Sequence, residues 1–287
     1  MALNGNNTME KRKNNTLNEA RIEQELLKGT VDKNLGVYCA LFSAKSTIEG
    51  QNGGVITALL IKGLSEGIFD STVVVRNKDG YSAEAVVAEN ANDVLSAKGT
   101  KYVKVNVAEK LRELVEQGKK KIAIVCTPCE VRAARKIQQT LPSDCTVTII
   151  GLFCFEAFNG AKLKEEVAKR LGIDLAKAQR THIQHGKFTV SLDGNEYSCR
   201  IRELANATEK VCQYCDDFAA RLADVSVGSA GSKEEYSTVI VRSPIGEKIL
   251  QNLELVKGAV DREEIIKLCS LKKARAERNF AGLENKR

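Results

Sequence analysis

Two short, continuously apolar segments constrain the fold more than any other feature of this sequence. Lys121 to Val125 (KIAIV) and Val147 to Leu152 (VTIIGL) contain few polar side chains, as expected for strands that are buried on both faces of a sheet. Helical segments follow them, the first ending at Gln139 and the second running from Lys162 to Leu171. This alternation predicts an α/β fold with a mixed, largely parallel sheet and flanking helices.

The rest of the chain extends this pattern. We predict further helices at Val55 to Ser65 and Val107 to Gln117, and further strands at Val37 to Ala44, Thr72 to Arg76, Ala83 to Glu89 and Ser237 to Arg242. A Cys-bearing region containing a hairpin follows the parallel part of the fold. Asp193-Gly194 separates two alternating segments, Lys187 to Leu192 and Asn195 to Ile201, and therefore predicts a β-hairpin. Residues 212–223 are predicted to form a Cys-bearing turn and helix.

We expect three parts along the chain. Residues 1–34 form an N-terminal extension, with a disordered leader over 1–15 and a loose surface helix over 16–28. Residues 35–260 form the main α/β domain. Residues 261–287 form a charged, amphipathic C-terminal helix.

Composition excludes several classes of protein. No stretch approaches the ~18 consecutive apolar residues of a membrane-spanning helix, and the first residues lack the apolar core of a signal peptide. We therefore expect a cytoplasmic protein. The net charge of +7 comes from 44 basic and 37 acidic residues that are interleaved. This mild charge gives little indication of nucleic-acid binding, and a small acidic ligand or an acidic partner fits it equally well.

Nine cysteines are many for a cytoplasmic chain of 287 residues. In a reducing compartment they indicate metal or redox chemistry rather than disulfides. Cys126 and Cys129 form one C-x-x-C pair, and Cys212 and Cys215 form another. Two such turns can complete a four-thiolate site for zinc or for an iron–sulfur cluster. Cys154 ends a buried strand and is a fifth candidate, and spacing alone does not choose between Cys126 and Cys154.

Two other interpretations of the cysteines remain open. Cys126 and Cys129 lie between a strand and a helix, where a helix N-terminus lowers thiol pKa values, so the pair can also be a redox dithiol. The remaining cysteines are expected to be small apolar side chains; these are Cys39, Cys145, Cys199 and Cys269.

Three segments have the composition of a cofactor site. Gly53-Gly54 precedes a helix with Thr57 in its first turn, an arrangement suited to phosphate. Residues 98–102 (KGTKY) combine flexible backbone, a hydroxyl, cations and an aromatic ring, which suits an anionic cofactor containing a ring. Residues 224–232 run from a strand into a loop of small residues that a ligand can approach closely. Neither the dinucleotide-binding G-x-G-x-x-G nor a P-loop is present.

Six segments taken in order resemble one family. They are GQNGGVITALL, AKGTKY, TPCEVRAARK, GLFCFEAF, HGKF and CQYCDDFAARLADVSVGSAG. Their order and spacing are similar to those of the beta-subunit family of coenzyme F420-reducing hydrogenases and dehydrogenases, and the shape is closest to the hydrogenase members. The related formate dehydrogenase beta subunits carry additional ferredoxin-like cysteine runs, which are lacking here.

The resemblance implies FAD, one 4Fe-4S cluster and coenzyme F420 as substrate. By the family pattern the cluster ligands would be Cys129, Cys154, Cys212 and Cys215, with Cys126 a neighbour. The residues implied around the flavin are Gly53, Gly54, Val55, Thr57, Gly99, Thr100, Lys101, Tyr102, Lys187, Asp224, Ser226, Gly228, Ser229 and Gly231.

The implied function is that of an electron-transfer subunit of an oxidoreductase, of the kind used in methanogenic energy metabolism. Coenzyme F420 exchanges a hydride, a cluster passes single electrons, and a flavin does both, so the cofactors carry the chemistry and no catalytic side chain is expected. The implied partners are subunits of a hydrogenase, a formate dehydrogenase, a heterodisulfide reductase or a ferredoxin-linked complex.

Three residues depart from the family pattern. Asn52 stands where Asp is usual, Glu130 where Gln is frequent, and Cys126 where a small residue is common. One alternative is therefore the same flavin and cluster with a different electron donor. A second alternative is a zinc-bearing interaction module with Cys126, Cys129, Cys212 and Cys215 as ligands.

Overall fold

The computed structural model describes residues 18–284. Its strands are β1 (Thr30–Asp32), β2 (Gly36–Tyr38), β3 (Ala40–Ser46), β4 (Ser71–Asp79), β5 (Ser82–Ala88), β6 (Lys121–Cys126), β7 (Thr146–Leu152), β8 (Arg180–Gln184), β9 (Lys187–Leu192), β10 (Asn195–Arg200), β11 (Val225–Gly228), β12 (Ser237–Val241) and β13 (Leu255–Gly258). Its α-helices are α1 (residues 18–26), α2 (Val55–Ser65), α3 (Ala91–Ser96), α4 (Val107–Glu116), α5 (Pro128–Gln138), α6 (Gly160–Leu171), α7 (Pro244–Leu250) and α8 (Arg262–Glu284). Short 3-10 helices span Leu175–Lys177, Ile201–Ala207 and Lys210–Tyr214.

The main sheet has eight strands in the order β13-β3-β12-β11-β7-β6-β4-β5. The four strands from β11 to β4 are mutually parallel, and the outer pairs are antiparallel. Because β3 is antiparallel to β12 and β12 is antiparallel to β11, β3 runs in the same direction as the four central strands. Five strands therefore end at one edge, which we call the carboxyl edge. The predicted α/β fold class is confirmed.

Both faces of the central strands are buried. Ile122 and Ile124 of β6 pack into a cluster with α4 and α5, whereas Ala123 and Val125 face the cluster that contains α2 and α7. Side chains alternate between the two faces of a strand, so a strand covered on both sides requires an uninterrupted apolar run. This double coverage explains the two apolar segments of the sequence.

A smaller antiparallel sheet, β10-β9-β8, builds a separate core with α6. The predicted hairpin is confirmed, since β9 and β10 pair across Asp193 and Gly194. Both turn residues have positive φ, 51° and 76°, as a two-residue hairpin turn requires. The sequence reasoning missed β8, which is a half-exposed strand on the other side of β9.

The helix predicted within residues 212–223 is wrong. A 3-10 helix ends at Tyr214, and the chain then continues without regular structure to the start of β11. The Asp217 carboxylate accepts the N–H of Arg221 at 3.0 Å, and Ala220 has φ +53°. A left-handed residue and a side chain that competes for the backbone both interrupt a helix.

The helix α1 packs on the body of the protein. The expected disordered leader over 1–15 lies outside the described residues, and the helical segment is described from residue 18. Ile22 is only 2% exposed and joins the apolar cluster formed with α4 and α5. Glu19 pairs with Arg132 of α5, with 2.7 Å between Oε1 and Nε. The expectation of a loose surface helix is therefore wrong, because the apolar side of this helix packs against the body of the protein.

The C-terminal helix α8 also lies against the body. Ile265, Cys269 and Ala276 are buried along it. Within residues 18–284, no helix is long and apolar enough to cross a membrane.

A buried charge network joins the amino end of β11 to β7 and α5. Asp224 accepts hydrogen bonds from Arg135 at 2.9 Å, from the Ser243 hydroxyl at 2.7 Å and from the Ile149 N–H at 2.7 Å. The paired Arg135 and Asp224 side chains are 1% and 3% exposed. A buried ion pair is tolerated where further hydrogen bonds satisfy both groups. Removing one partner leaves the other charge buried and unpaired.

Replacing Asp224 by Ala should lower the free energy of unfolding by about 3–5 kcal/mol, because the Arg135 guanidinium would stay buried without a counter-ion. Urea unfolding followed by circular dichroism measures this change. Asp144→Ala is the matched control, since its pair with Lys120 is solvent-exposed and should contribute less than about 1 kcal/mol. Equal effects from the two variants would contradict the network's role.

Candidate functional site

The candidate site is assembled at the carboxyl edge from loops that follow four of its strands. Residues 47–54 follow β3, residues 127–129 follow β6, Cys154 comes shortly after β7, and residues 229–232 follow β11. In open α/β sheets, ligands bind outside the carboxyl ends of the strands. Most of the residues predicted from sequence are thereby brought to one side of the molecule.

Separate pieces of backbone hold the cysteines. Cys129 lies in the first turn of α5, and its sulfur is 3.4 Å from the Thr127 hydroxyl. The Cys154 N–H donates to the Phe218 carbonyl at 2.9 Å, which ties the end of β7 to the loop after Cys215. The Cys212 sulfur accepts the Ala157 N–H at 3.4 Å, so the two segments are joined at a second point.

The thiols of four cysteines influence one another. Desolvation raises the pKa of Cys154 to about 12; the Lys272 ammonium opposes this shift, and the thiols of Cys212, Cys129 and Cys215 add to it. Within residues 18–284, no three His, Cys, Asp or Glu side chains converge closely enough to hold a single metal ion. The four thiols are thus electrostatic neighbours, although no three of them among the described residues converge on one metal ion.

Cys126 interacts electrostatically with Cys129 but is not among the thiols that act on Cys154. It is 1% exposed and packs in the apolar cluster with Val131 and Ala134 of α5. Burial raises its pKa well above the usual range. The end of β6 therefore turns this thiol into the core beneath α5.

A row of donors on α8 covers both cysteine segments. Lys272 is 1% exposed, and its Nζ donates to the Cys154 carbonyl at 2.5 Å. Arg275 donates to the carbonyls of Phe155 at 2.9 Å and of Cys212 at 3.0 Å. Asn279 donates to the Gln213 carbonyl at 2.8 Å. The spacing of three and four residues places these donors on one face of the helix.

Glu130 joins α5 to the start of α4 and to Lys104. Its Oε2 accepts the N–H groups of Val107 and Ala108, both at 3.0 Å, and thus caps the first turn of α4. Its other oxygen pairs with Lys104, which also hydrogen-bonds the Cys129 sulfur. The departure from Gln at this position therefore places a carboxylate that caps α4 and holds a cation beside Cys129.

The glycine pair is required by close backbone packing. A Cβ on Gly53 would lie 2.4 Å from the Ala44 carbonyl oxygen, and one on Gly54 would lie 1.9 Å from that of Ile48. Gly54 also has φ +66° and precedes α2 without any side-chain cap. The first N–H groups of α2, at Val55 and Thr57, are consequently left free of side-chain acceptors at this edge.

The turn over residues 99–102 connects the glycine loop to the small sheet. The Thr100 N–H donates to Gln51 Oε1 at 2.8 Å, and the Tyr102 hydroxyl accepts the Ile183 N–H at 2.9 Å. A cleft opens beside this turn, between β4, β5 and the small sheet; its polar lining includes Thr100, Lys101, Arg180 and Thr181. We call it the Lys101 cleft.

Lys101 itself caps the end of α3. Its Nζ donates to the carbonyls of Lys98 at 2.9 Å and Gly99 at 2.8 Å, and also to that of Ala97. Desolvation lowers its pKa to about 8. The ammonium is therefore held by dipoles at the rim of the Lys101 cleft.

Several other residues predicted to surround the cofactor already make internal contacts in the protein. Asp224 belongs to the buried network at the opposite end of β11, and the Ser226 hydroxyl accepts from Arg242 at 2.9 Å. A Cβ on Gly228 would collide with the Phe153 ring, and one on Gly231 with Ile265 of α8. Lys187 and Ser229 are exposed.

Two family models match this chain, and both describe the beta subunit of coenzyme F420 hydrogenase/dehydrogenase. The model of its N-terminal part matches residues 40–112, and the model of its C-terminal part matches residues 119–266. The chain belongs to this family. The resemblance inferred from the six motifs is thus confirmed.

Two relatives of this family member have different described activities. It is 33% identical over 271 residues to the coenzyme F420 hydrogenase subunit beta of Methanothermobacter thermautotrophicus, covering 86% of this chain and 95% of that protein. It is 36% identical over 253 residues to the coenzyme F420-dependent sulfite reductase of Methanocaldococcus jannaschii. That match covers 82% of this chain and only 40% of the reductase.

A solved structure shares the fold of this family member. It is a chain of the F420-reducing [NiFe] hydrogenase complex from Methanosarcina barkeri, with a TM-score of 0.82 and 28% sequence identity. The superposition covers 88% of this chain and 94% of that one.

The sequence did not reveal the α8 side chains that donate hydrogen bonds to the cysteine segments. Lys272, Arg275 and Asn279 lie in a tail rich in charged residues, where each resembles a solvated side chain. A signal was nevertheless present, because the three share one helical face with the buried Cys269 and Ala276.

The lowered pKa of Lys101 predicts a pH-dependent contribution to stability. Below pH 8 the folded chain must keep a desolvated ammonium, whereas above pH 8 it releases a proton that the unfolded chain holds up to about pH 10.4. The wild type should therefore gain stability relative to Lys101→Met as the pH rises from 8 to about 10.4. Urea unfolding of both proteins across this window tests it; a constant difference would refute the assignment.

Proposed function

We propose that this chain is an electron-transfer subunit that passes electrons between coenzyme F420 and a partner oxidoreductase through FAD and one 4Fe-4S cluster. The observation that carries the proposal is the grouping of four thiols, three of which, Cys154, Cys212 and Cys215, lie near the buried Lys272 ammonium. Relatives described as F420 hydrogenase and sulfite reductase proteins support coenzyme F420 as the hydride-carrying substrate.

The proposed cluster ligands are Cys129, Cys154, Cys212 and Cys215. Four thiolates are a normal ligand set for a 4Fe-4S cluster, in which each thiolate binds a different iron atom. Four thiols that are electrostatic neighbours, with no three of those described converging on one metal ion, are compatible with this arrangement. The nearby buried cation fits it too, because a desolvated ammonium is strongly unfavourable without negative charge beside it.

The zinc alternative fits this arrangement less well. It requires Cys126 as a ligand, but that thiol is buried in the apolar cluster under α5. It also leaves Cys154 without a role, although Cys154 is an electrostatic neighbour of Cys129, Cys212 and Cys215.

The proposed flavin site combines the uncapped start of α2 with the Lys101 cleft. Free N–H groups at Val55 and Thr57 suit a phosphate, and Gly53 and Gly54 allow the chain to turn tightly there. Thr100, Tyr102 and the exposed Lys187 and Ser229 stay in the proposal as residues near the ring or the phosphates. Asp224 and Ser226 are left out because buried internal partners occupy them.

The chain's own residues position and insulate these groups. When bound, the flavin would supply the ability to take a hydride and release single electrons. The two segments that carry Cys154 and Cys212 are held together by hydrogen bonds to one helix, α8. Lys101 and Arg180 place positive charge at the rim of the Lys101 cleft, where phosphates of the flavin or of coenzyme F420 would need it.

The partner is proposed to be a catalytic or electron-accepting subunit of an oxidoreductase complex. One flavin and one cluster carry electrons but activate neither hydrogen nor another terminal substrate. Hydrogenase, formate dehydrogenase, heterodisulfide reductase and ferredoxin-linked partners are all compatible with such a module.

An anaerobic visible spectrum, followed by addition of reduced coenzyme F420, tests the proposal directly. We expect flavin bands on a broad iron–sulfur shoulder, both bleached by the reduced coenzyme. A flavin and cluster that do not respond would favour a different electron donor. A colourless protein containing zinc would favour the interaction module.

Serine substitutions separate the two ligand sets. Cys154→Ser should lose most of the iron bound per chain, since a proposed ligand is removed, whereas Cys126→Ser should keep it. Iron and zinc are measured by elemental analysis of protein purified without oxygen. Cys145→Ser is the control because Cys145 lies outside the group, near the Lys119 carbonyl. The reverse result for Cys154 and Cys126 would support the zinc site.

A further inference from the structure

Lys272 is a buried cation without a close carboxylate. It is 1% exposed, and among residues 18–284 no Asp or Glu oxygen lies within 4 Å of its Nζ. Its polar contacts are the Cys154 carbonyl at 2.5 Å and the Cys215 sulfur. Asp217 is nearby, but its negative charge is shared with Arg132, Arg221 and Arg242.

The unfavourable free energy of burying the Lys272 ammonium indicates that negative charge should lie nearby. An ammonium removed from water is unfavourable by several kcal/mol unless an anion compensates it. Neutral thiols do not provide that anion, whereas four thiolates bound to a cluster do. The cation is therefore placed where the proposed cluster would concentrate negative charge.

We propose that Lys272 is a positioning residue that sets the reduction potential of the cluster, an inference that rests on the proposed function. Adding one electron makes the four-thiolate site more negative by one unit. A fixed positive charge beside that site stabilises the reduced form more than the oxidised form. Lys272 thus raises the midpoint potential and favours acceptance of an electron from the flavin.

The α8 helix keeps this charge in place. Arg275 and Asn279 bind carbonyls in both cysteine segments, one turn and two turns beyond Lys272. Arg275 also pairs with Glu156 at 2.7 Å, so its own charge is largely compensated. Lys272 is consequently the cation on α8 whose charge is directed at the thiols without an ion pair of its own.

Two substitutions separate the charge from the hydrogen bond. Lys272→Met removes both, whereas Lys272→Gln removes the charge and keeps a donor for the Cys154 carbonyl. Lys273→Met is the control, because Lys273 is exposed on the same helix. The full chain with its cofactors is titrated electrochemically, and the reduced cluster is followed by electron paramagnetic resonance.

We expect the midpoint potential of the cluster to be lower than in the wild type by at least about 59 mV in both Lys272 variants, which is a tenfold shift in the one-electron equilibrium. Lys273→Met should match the wild type. An unchanged potential in Lys272→Gln would overturn the inference and assign the residue a hydrogen-bonding role. An unchanged potential in both variants would overturn it altogether. Wild-type protein that binds no iron would overturn the proposed function instead, and this inference with it.

Stability provides a second readout that does not depend on electron transfer. In cluster-free protein, Lys272→Met should unfold at the same or a higher urea concentration than the wild type, because an uncompensated buried charge has been removed. In cluster-loaded protein the same variant should release iron to a chelator faster than the wild type. A variant that is less stable in both states would indicate a purely structural side chain and would contradict the inference.

Discussion

Coverage of the central strands on both faces is the constraint on which the rest of the molecule depends. With helices packed on each side of β11, β7, β6 and β4, the sheet has no free face for a ligand. Only its ends remain available, and parallel strands place all their carboxyl ends together. The site is therefore built partly from the first residues after β3, β6, β7 and β11, and partly from the segment between β10 and β11 that carries Cys212 and Cys215.

The sequence predicted the parts of the fold that follow from local chemistry. Uninterrupted apolar runs identified β6 and β7, and Asp193-Gly194 identified the hairpin of β9 and β10. By contrast, β8 lies at the edge of the small sheet and is partly exposed. Its sequence therefore mixes polar and apolar residues and does not show the pattern of a buried strand. The segment after Cys215 has helix-forming residues, but the left-handed Ala220 and the Asp217 side chain are tertiary features that no periodicity reveals.

The candidate site was predictable to a similar extent. Cysteine spacing identified loops whose thiols are electrostatic neighbours in the structure, because thiols in close pairs are typical of metal or redox sites. Spacing did not separate Cys126 from Cys154, since the direction of a side chain at a strand end depends on what packs beneath it. Asp224 resembled a loop-side ligand in sequence, yet it sits at the opposite end of β11 in a network with Arg135 and Ser243. Buried cations such as Lys272 are invisible in a charged helix until its packing is known.

The placement of α8 has a consequence for how the protein matures in the cell. The thiols come from residues 129 to 215, and the helix that joins their segments begins only at Arg262. Lys272 and Arg275 can therefore close over the cysteine loops only after α8 has been synthesised. The cysteine loops are thus complete, and open to a metallocofactor, before α8 can dock on them.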